Sequence, residues 1–354
     1  MGKRYDFPIP YGWYCVSLSR DLAVGEVKPI HYFGKELVLF RTESGEAKLL
    51  DAYCPHLGAH LGHGGKVKGE HVACPFHGWE FNGTGVCKHI PYARNMPPRA
   101  DGKQTVHAYP VVEQNKVVWA WYHPEGVAPL FELDTVPEVD DPQWTDLRVY
   151  EWTINTVIQE SAENAADAAH FVYVHSAKDV PRGEVTHEGH RRSARYVGKT
   201  ADMDENGNID TTGTRWRETI LETANCGPGM TRQRFMGLCD TIQLGLVTPV
   251  DDQSIHLRFC FIQPQGLNPL QQFIAQALTD EISRQVEQDI PIWNNKIFQP
   301  NPILCDGDGP IAQFRRWFSQ FYAKPSGEDA LKLRAVSCVR ARPLRRSAGA
   351  AFLS

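Results

Sequence analysis

Cys54-Pro-His56 and, after seventeen intervening residues, Cys74-Pro-Phe-His77 decide how the first third of this chain is read. Each short loop offers one thiol and one imidazole. A diiron–disulfur cluster held by two cysteines and two histidines needs that division, both sulfurs on one iron and both imidazoles on the other. Neutral imidazoles in place of anionic thiolates ease reduction, so such a centre sits at higher potential than an all-cysteine cluster.

The alternative is a structural zinc site. Zinc sites of this composition usually run Cys-Cys and then His-His, each like pair on one short segment. Here each segment carries one of each, the arrangement of a Rieske cluster. Gly58, Gly62, Gly64 and Gly65 let the first loop turn tightly, and Pro55 and Pro75 stiffen the loops beside their ligands. The expected group is therefore a 2Fe–2S cluster on Cys54, His56, Cys74 and His77.

A chain of 354 residues has room for one or two domains and a sizeable core. Its formal net charge of −5 gives no footprint for nucleic acid or an anionic membrane. No apolar run reaches the length of a membrane span, and the N-terminus lacks the apolar core of a signal peptide. Two of the nine cysteines fall in the ligand pattern. The others read as isolated thiols, a usage that suits a reducing cytoplasm and no disulfide framework.

From residue 11 to 123 the text is short strand-like runs, such as Leu37–Phe40 and Val117–Trp121, broken by turn signals. A small all-β domain with two cluster loops at one end is expected, Trp79 and Phe81 shielding the cluster. Residues 124–150, rich in proline and acids, read as a linker. A second domain spans 151–322. Its Ala-rich stretch Gln159–His170 predicts one helix, with Asn164, Asp167 and His170 in steps of three along it. Ser254–Gln263 alternates as a half-buried strand. Pro269–Gln288 predicts a long amphipathic helix with Leu270, Phe273, Ile274, Ala277, Leu278, Ile282 and Val286 on its apolar face. Residues 323–354 lack periodicity and read as a disordered tail.

Continuing the spacing of that last helix lands on Asp289. A carboxylate on a buried face is costly unless paired or bound to metal. With His170 and His175 it makes a two-histidine, one-carboxylate set, which leaves open positions on Fe(II) for O₂. Asp280, Glu281 and Glu287 compete on the same helix, but the apolar register favours Asp289. Pro291 should disturb the helix there. Asp167, one turn before His170, could accept a hydrogen bond from that ligand's other ring nitrogen and so orient it. Asn164 reads as a neighbour of the metal, a distant fifth ligand, or a surface amide. Phe171, Val172, Trp216, Met230, Phe235, Met236 and Phe298 are candidate lining for a substrate pocket.

Together, Cys54-x-His56…Cys74-x₂-His77 and Asn164-x₂-Asp167-x₂-His170-x₄-His175 resemble the Rieske non-haem iron oxygenases. His170–His175, Gln288–Trp293 and Gln313–Tyr322 make the text most similar to oxygenase components of 3-ketosteroid 9α-hydroxylases, with the sterol 7-desaturases sharing much of it. Pro291 and the C-terminal tail depart from the family pattern.

That resemblance implies an α+β architecture: an all-β Rieske domain, then a helix-grip catalytic domain of antiparallel sheet and helices. It implies a homotrimer in which Asp167 bridges His77 of one chain and His170 of the next. It also implies a terminal oxygenase with a mononuclear Fe(II), O₂ as co-substrate, and NADH electrons delivered by a separate flavin and iron–sulfur reductase. The implied substrate is bulky and apolar, foremost a 3-ketosteroid. A desaturase, a demethylase or an aromatic-ring dioxygenase on the same scaffold is the alternative. Outside enzymes, the competing reading is a Rieske electron carrier. It would bind two irons per chain where an oxygenase binds three.

Overall fold

The computed structural model describes residues 4–167, 169–175, 183–201, 215–237 and 239–323. Short strands come first: β1 (Gly12–Leu18), β2 (Val27–Tyr32), β3 (Lys35–Arg41), β4 (Ala47–Asp51), β5 (Lys66–Lys68), β6 (His71–Ala73), β7 (Glu80–Asn82), β8 (Cys87–His89), β9 (Ala108–Tyr109), β10 (Val111–Gln114) and β11 (Val117–Tyr122). They build three antiparallel sheets, β1-β11-β10, β2-β3-β4-β9 and β5-β6-β7-β8. β11 sends Val118 and Ala120 into one core and Val117, Trp119 and Trp121 into another, which is why its run Val-Val-Trp-Ala-Trp is buried on both faces. The last sheet carries the Cys74 loop between β6 and β7.

The second half is built on one seven-stranded antiparallel sheet. Its strands are β12 (Arg148–Ile154), β13 (Gly183–Glu188), β14 (Arg191–Ala201), β15 (Trp216–Cys226), β16 (Met230–Met236), β17 (Thr241–Pro249) and β18 (Ile255–Ile262), in the order β12-β18-β17-β16-β15-β14-β13. Among the described residues four α-helices accompany it: α1 (Ile158–Glu163), α2 (His170–Tyr173), α3 (Pro269–Asn295) and α4 (Ile311–Phe318). The α+β expectation holds.

Three local expectations fail, each for a tertiary reason. The predicted helix through His170 breaks: α1 stops at Glu163, whose carbonyl accepts from both Ala166 N (2.8 Å) and Asp167 N (3.1 Å). Helix propensity gives way to the ties of the break itself, Glu163 to Arg315 and Asn164 to Asp289. The second failure is α3, which runs on through Pro291 to Asn295. Proline removes one helix bond, but the last turn is held from outside. Trp293 is buried, Asn294 Oδ1 accepts from Asn155 N at 3.1 Å, and Lys296 pairs with Glu160 at 2.5 Å. The buried stripe of α3 is Ala275, Thr279, Ser283, Val286, Asp289 and Trp293, so Phe273 and Ala277 face outward.

The third failure is β18, which is not half-solvated. Arg258 and Cys260 are buried because the cluster-bearing half packs on that face of the sheet. Arg258 Nη2 donates to Tyr32 Oη (3.0 Å), and Thr248 Oγ1 donates to the Cys15 carbonyl (2.6 Å). Residues 124–150 are built into the same seam. Leu133, Val136, Val139 and Leu147 share one core with Trp13, Trp119 and Trp121 from the first half and Ile242, Leu244 and Leu246 from the second. The turn between β2 and β3 docks there too. Phe33 takes a φ of 60°, a costly value for an aromatic residue, and is held by Phe33 N to Pro249 O (3.0 Å) and Gly34 N to Val250 O (2.8 Å).

The chain before residue 11 is also structural: Phe7 packs edge-on against Phe298 (4.5 Å) and stacks on Tyr322 (5.7 Å). Every described cysteine is a free thiol, all buried except Cys305. From residue 324 on, the expected tail lies outside the described residues.

A bidentate ion pair ties α1 to α4, with Arg315 Nε to Glu163 Oε2 at 2.6 Å and Nη2 to Glu163 Oε1 at 2.7 Å, both side chains about nine-tenths buried. Removing one partner strands the other charge away from water. Arg315→Met should therefore cost about 3–5 kcal/mol, read as a lower urea midpoint, and the double variant Glu163→Leu/Arg315→Met should recover most of it. A single variant with an unchanged midpoint would show the pair contributes nothing.

Candidate active site

The two cluster loops share one backbone design. Gly58 N donates to the Cys54 carbonyl (2.9 Å) and Gly78 N to the Cys74 carbonyl (3.0 Å), each glycine at positive φ (76° and 71°). Cys54 N then donates to Ala59 O (2.9 Å), and Cys74 N to Trp79 O (2.8 Å). Gly78 was not singled out in the sequence, although it occupies the place in its loop that Gly58 occupies in the other.

These turns bury both cysteines and bring the rings of His56 and His77 to 4.8 Å. Trp79 stacks on His56 at 4.7 Å and 10° and donates its Nε1–H to Tyr92 Oη at 2.8 Å; Phe81 is fully buried behind it. Burial, with Cys74 beside it, pushes the Cys54 thiol up to about 12. A bound cation inverts that preference and deprotonates a coordinating thiol. The donor set fits a Rieske cluster: two adjacent buried sulfurs, and two imidazoles with no hydrogen bond to another described residue. Phe76, Leu57 and Tyr92 leave this tip apolar and exposed.

In the second half, His170 and His175 from the α2 segment meet Asp289 of α3. One ligand atom from each lies within 4.8 Å of the others, the single such group among the described residues. The competing carboxylates point elsewhere: Glu281 pairs with Arg284 (2.7 Å), Asp280 accepts from Tyr150 (3.0 Å), and Glu287 is exposed. Burial raises the Asp289 carboxyl above its usual range, against the pull of His175, His170 and Asn164. A buried acid facing two imidazoles is in balance once a cation sits between them.

The outer contacts fix both rings. His175 Nδ1 faces Gln288 Oε1 (2.9 Å), and His170 Nδ1 faces the main-chain carbonyl of Asp167. Both acceptors hold the proton on Nδ1 and leave the Nε2 lone pair for the centre of the triad, the state a metal-binding histidine needs. Asn164 Nδ2 donates to Asp289 Oδ2 (2.9 Å) and lies 3.1 Å from His170 Nε2. In an unbroken helix Asn164 and His170 would sit about 9 Å apart along the axis. The break after Glu163 is what brings them together.

One expectation is corrected here, and one residue is added. The Asp167 carboxylate accepts from the His170 main-chain N (3.3 Å), so the contact to the ring comes from the carbonyl of Asp167, not its side chain. Gln288 went unassigned in the sequence; it precedes Asp289, and neighbours on a helix face different directions, so periodicity gives no sign of it.

The triad opens into a cavity of about 190 Å³ between α3 and the sheet. Of the predicted lining, Phe171 and Phe235 are there, beside Leu257, Phe259 and Trp293. Met230 is instead in the shared core, Phe298 packs on Phe7, and Val172, Trp216 and Met236 are not part of the wall. Among the described residues no helix is long and apolar enough to cross a membrane.

Residues 12–110 match the family model of the Rieske [2Fe-2S] domain, and residues 120–322 that of the 3-ketosteroid 9alpha-hydroxylase C-terminal domain. A probable 3-ketosteroid-9-alpha-monooxygenase oxygenase component of Rhodococcus rhodochrous is 36% identical over 335 residues, covering 88% of this chain and 79% of its own. Cholesterol 7-desaturase nvd 1 of Ciona intestinalis is 31% identical, covering 91% and 71%. The solved dicamba monooxygenase bound to 3,6-dichlorosalicylic acid superposes with a TM-score of 0.67 at 18% identity, covering 88% and 96%, a likeness of fold. With a cluster domain joined to that catalytic domain over nearly the whole described chain, the protein belongs to the 3-ketosteroid 9α-hydroxylase family of Rieske monooxygenases, as an oxygenase component.

Proposed function

We propose that this chain is the terminal oxygenase of a multicomponent monooxygenase that hydroxylates a bulky apolar substrate, a 3-ketosteroid at C9. The observation that carries the reading is the His170–His175–Asp289 triad at one wall of a largely apolar cavity, in a chain 36% identical to a steroid monooxygenase component. Cys54, His56, Cys74 and His77 hold the cluster, and His170, His175 and Asp289 hold a mononuclear Fe(II). When bound, the cluster supplies single electrons and the iron activates dioxygen. Asn164 orients the Asp289 carboxylate, Gln288 and the Asp167 carbonyl fix the ligand tautomers, and the aromatic walls keep water from the reacting C–H bond.

Electrons come from NADH through a separate flavin and iron–sulfur reductase. No hydrogen bond or ring contact among the described residues joins His77 to Asp167 within the chain. That supports a homotrimer in which the Asp167 carboxylate, free of the ring of its own His170, meets His77 of the partner subunit. The exposed apolar tip around Phe76 and Leu57 suits burial in such an interface. We divide the chain into a Rieske domain (11–123), a crossing segment built into the core (124–150) and a catalytic domain (151–322).

The test is O₂ uptake and NADH consumption with a competent reductase, over 3-ketosteroids, sterols and aromatic acids. A 3-ketosteroid should stimulate uptake and gain one oxygen atom. The desaturase reading, kept open by the 31% identity to cholesterol 7-desaturase, predicts the loss of two hydrogens instead. No response to any 3-ketosteroid would overturn the substrate assignment.

A further inference from the structure

The floor of the cavity is the sheet, and its side chains are not uniformly apolar. Opposed residues of antiparallel neighbours share a face. The pairing of Asn225 with Thr231, and of Gln233 with Gln243, therefore lays two adjacent polar rows across β15, β16 and β17. All four residues line the cavity that contains the triad. Val247 and Leu257 lie to one side of the rows, and Leu221 and Phe235 to the other.

The two rows differ in one respect. Asn225 Nδ2 donates to Thr231 Oγ1 at 2.7 Å, so that pair is satisfied within the protein. Gln243 is 2% exposed, and its Oε1 is buried with no hydrogen-bond partner. Gln233 beside it makes no side-chain hydrogen bond to a described residue. A buried amide without a partner is destabilising, and buried polar groups are nearly always satisfied. Both amides line the cavity, so a group held there can supply the missing partner.

We propose that Gln243, with Gln233 beside it, selects the substrate by hydrogen bonding to one oxygen of an otherwise apolar ring system whose target C–H bond faces the triad. The inference rests on the functional reading above, which places substrate in this cavity. An amide serves either oxygen function: Nε2 donates to a ketone, and Oε1 accepts from a hydroxyl. The rejected ligand is the one with no oxygen at that position, because it leaves the amides unpaired; sites of this kind discriminate more strongly than apolar pockets do.

The test is calorimetric titration of the holoprotein with a 3-keto-17-hydroxysteroid, which offers one acceptor and one donor oxygen, and with two analogues, each lacking one of the two oxygens. With wild type, loss of one particular oxygen should weaken binding about tenfold. In Gln243→Leu, removal of that oxygen should no longer matter. Gln243→Met, nearer in shape, serves if the leucine variant loses the visible absorption of the folded holoprotein. Equal weakening of all three ligands in the variant, or discrimination left intact, overturns the inference while the functional reading stands. A wild-type protein that binds none of the three overturns that reading, and the inference with it.

Discussion

Asp289→Ala should purify with two irons per chain where the parent carries three, and with no coupled turnover. Among the described residues, Asp289 is the one carboxylate whose oxygen lies within 4.8 Å of ligand nitrogens on both His170 and His175. Two imidazoles alone are a poor site for Fe(II), which takes carboxylate and imidazole together in this geometry. The variant should fold, because deleting a carboxyl that burial already strains leaves no charge behind. Its cluster absorption should match the parent, since the cysteine and histidine loops lie on separate strands in the other half of the chain. Iron analysis alongside the visible spectrum decides the matter: three irons in the alanine variant would remove Asp289 from the ligand set.

Asp167→Ala separates two roles within one residue. The ring of His170 leans on the main-chain carbonyl of Asp167, which any amino acid supplies. Iron content should therefore stay at three per chain, and the cluster spectrum should be unchanged. What the substitution removes is the carboxylate proposed to reach the neighbouring subunit's cluster. Coupled turnover should fall by about 100-fold, the upper end of what such outer contacts contribute. Rapid-mixing absorption should then show a cluster that accepts electrons from the reductase and keeps them. Near-normal product formation would end the bridging role; loss of the third iron would mean the side chain matters for the site itself.

Much of the site was legible because its signals are local. The Cys/His loops declare themselves by spacing, and Asp289 appears as the one acid on a periodic apolar stripe. That stripe was right in its second half, at Val286 and Asp289, and wrong in its first, where Ala275, Thr279 and Ser283 take the inward places from Phe273 and Ala277. Periodicity gives a face only to within a turn, and small residues let α3 lie close to its neighbours. The break after Glu163 could not be read at all. Alanine favours helix, and the contacts that end it come from Arg315 and Asp289, more than 120 positions away in the chain. The same holds for β18: its alternation was real, but the first half of the chain covers the face that would otherwise be wet. Gln243 escaped notice because a glutamine in a strand carries no sign of which side it faces until its neighbours are placed.

The Phe33–Gly34 corner has a consequence for how electrons move. An aromatic residue stays in a left-handed conformation only where its surroundings over-determine it, and here they belong to the opposite half of the molecule: Pro249 and Val250 grip the corner through its main chain. Such a clasp leaves no pivot about which the redox head could swing between donor and acceptor. A head held in this way is carried with its own half of the subunit, so electrons have to be delivered to a port whose place on that subunit is fixed.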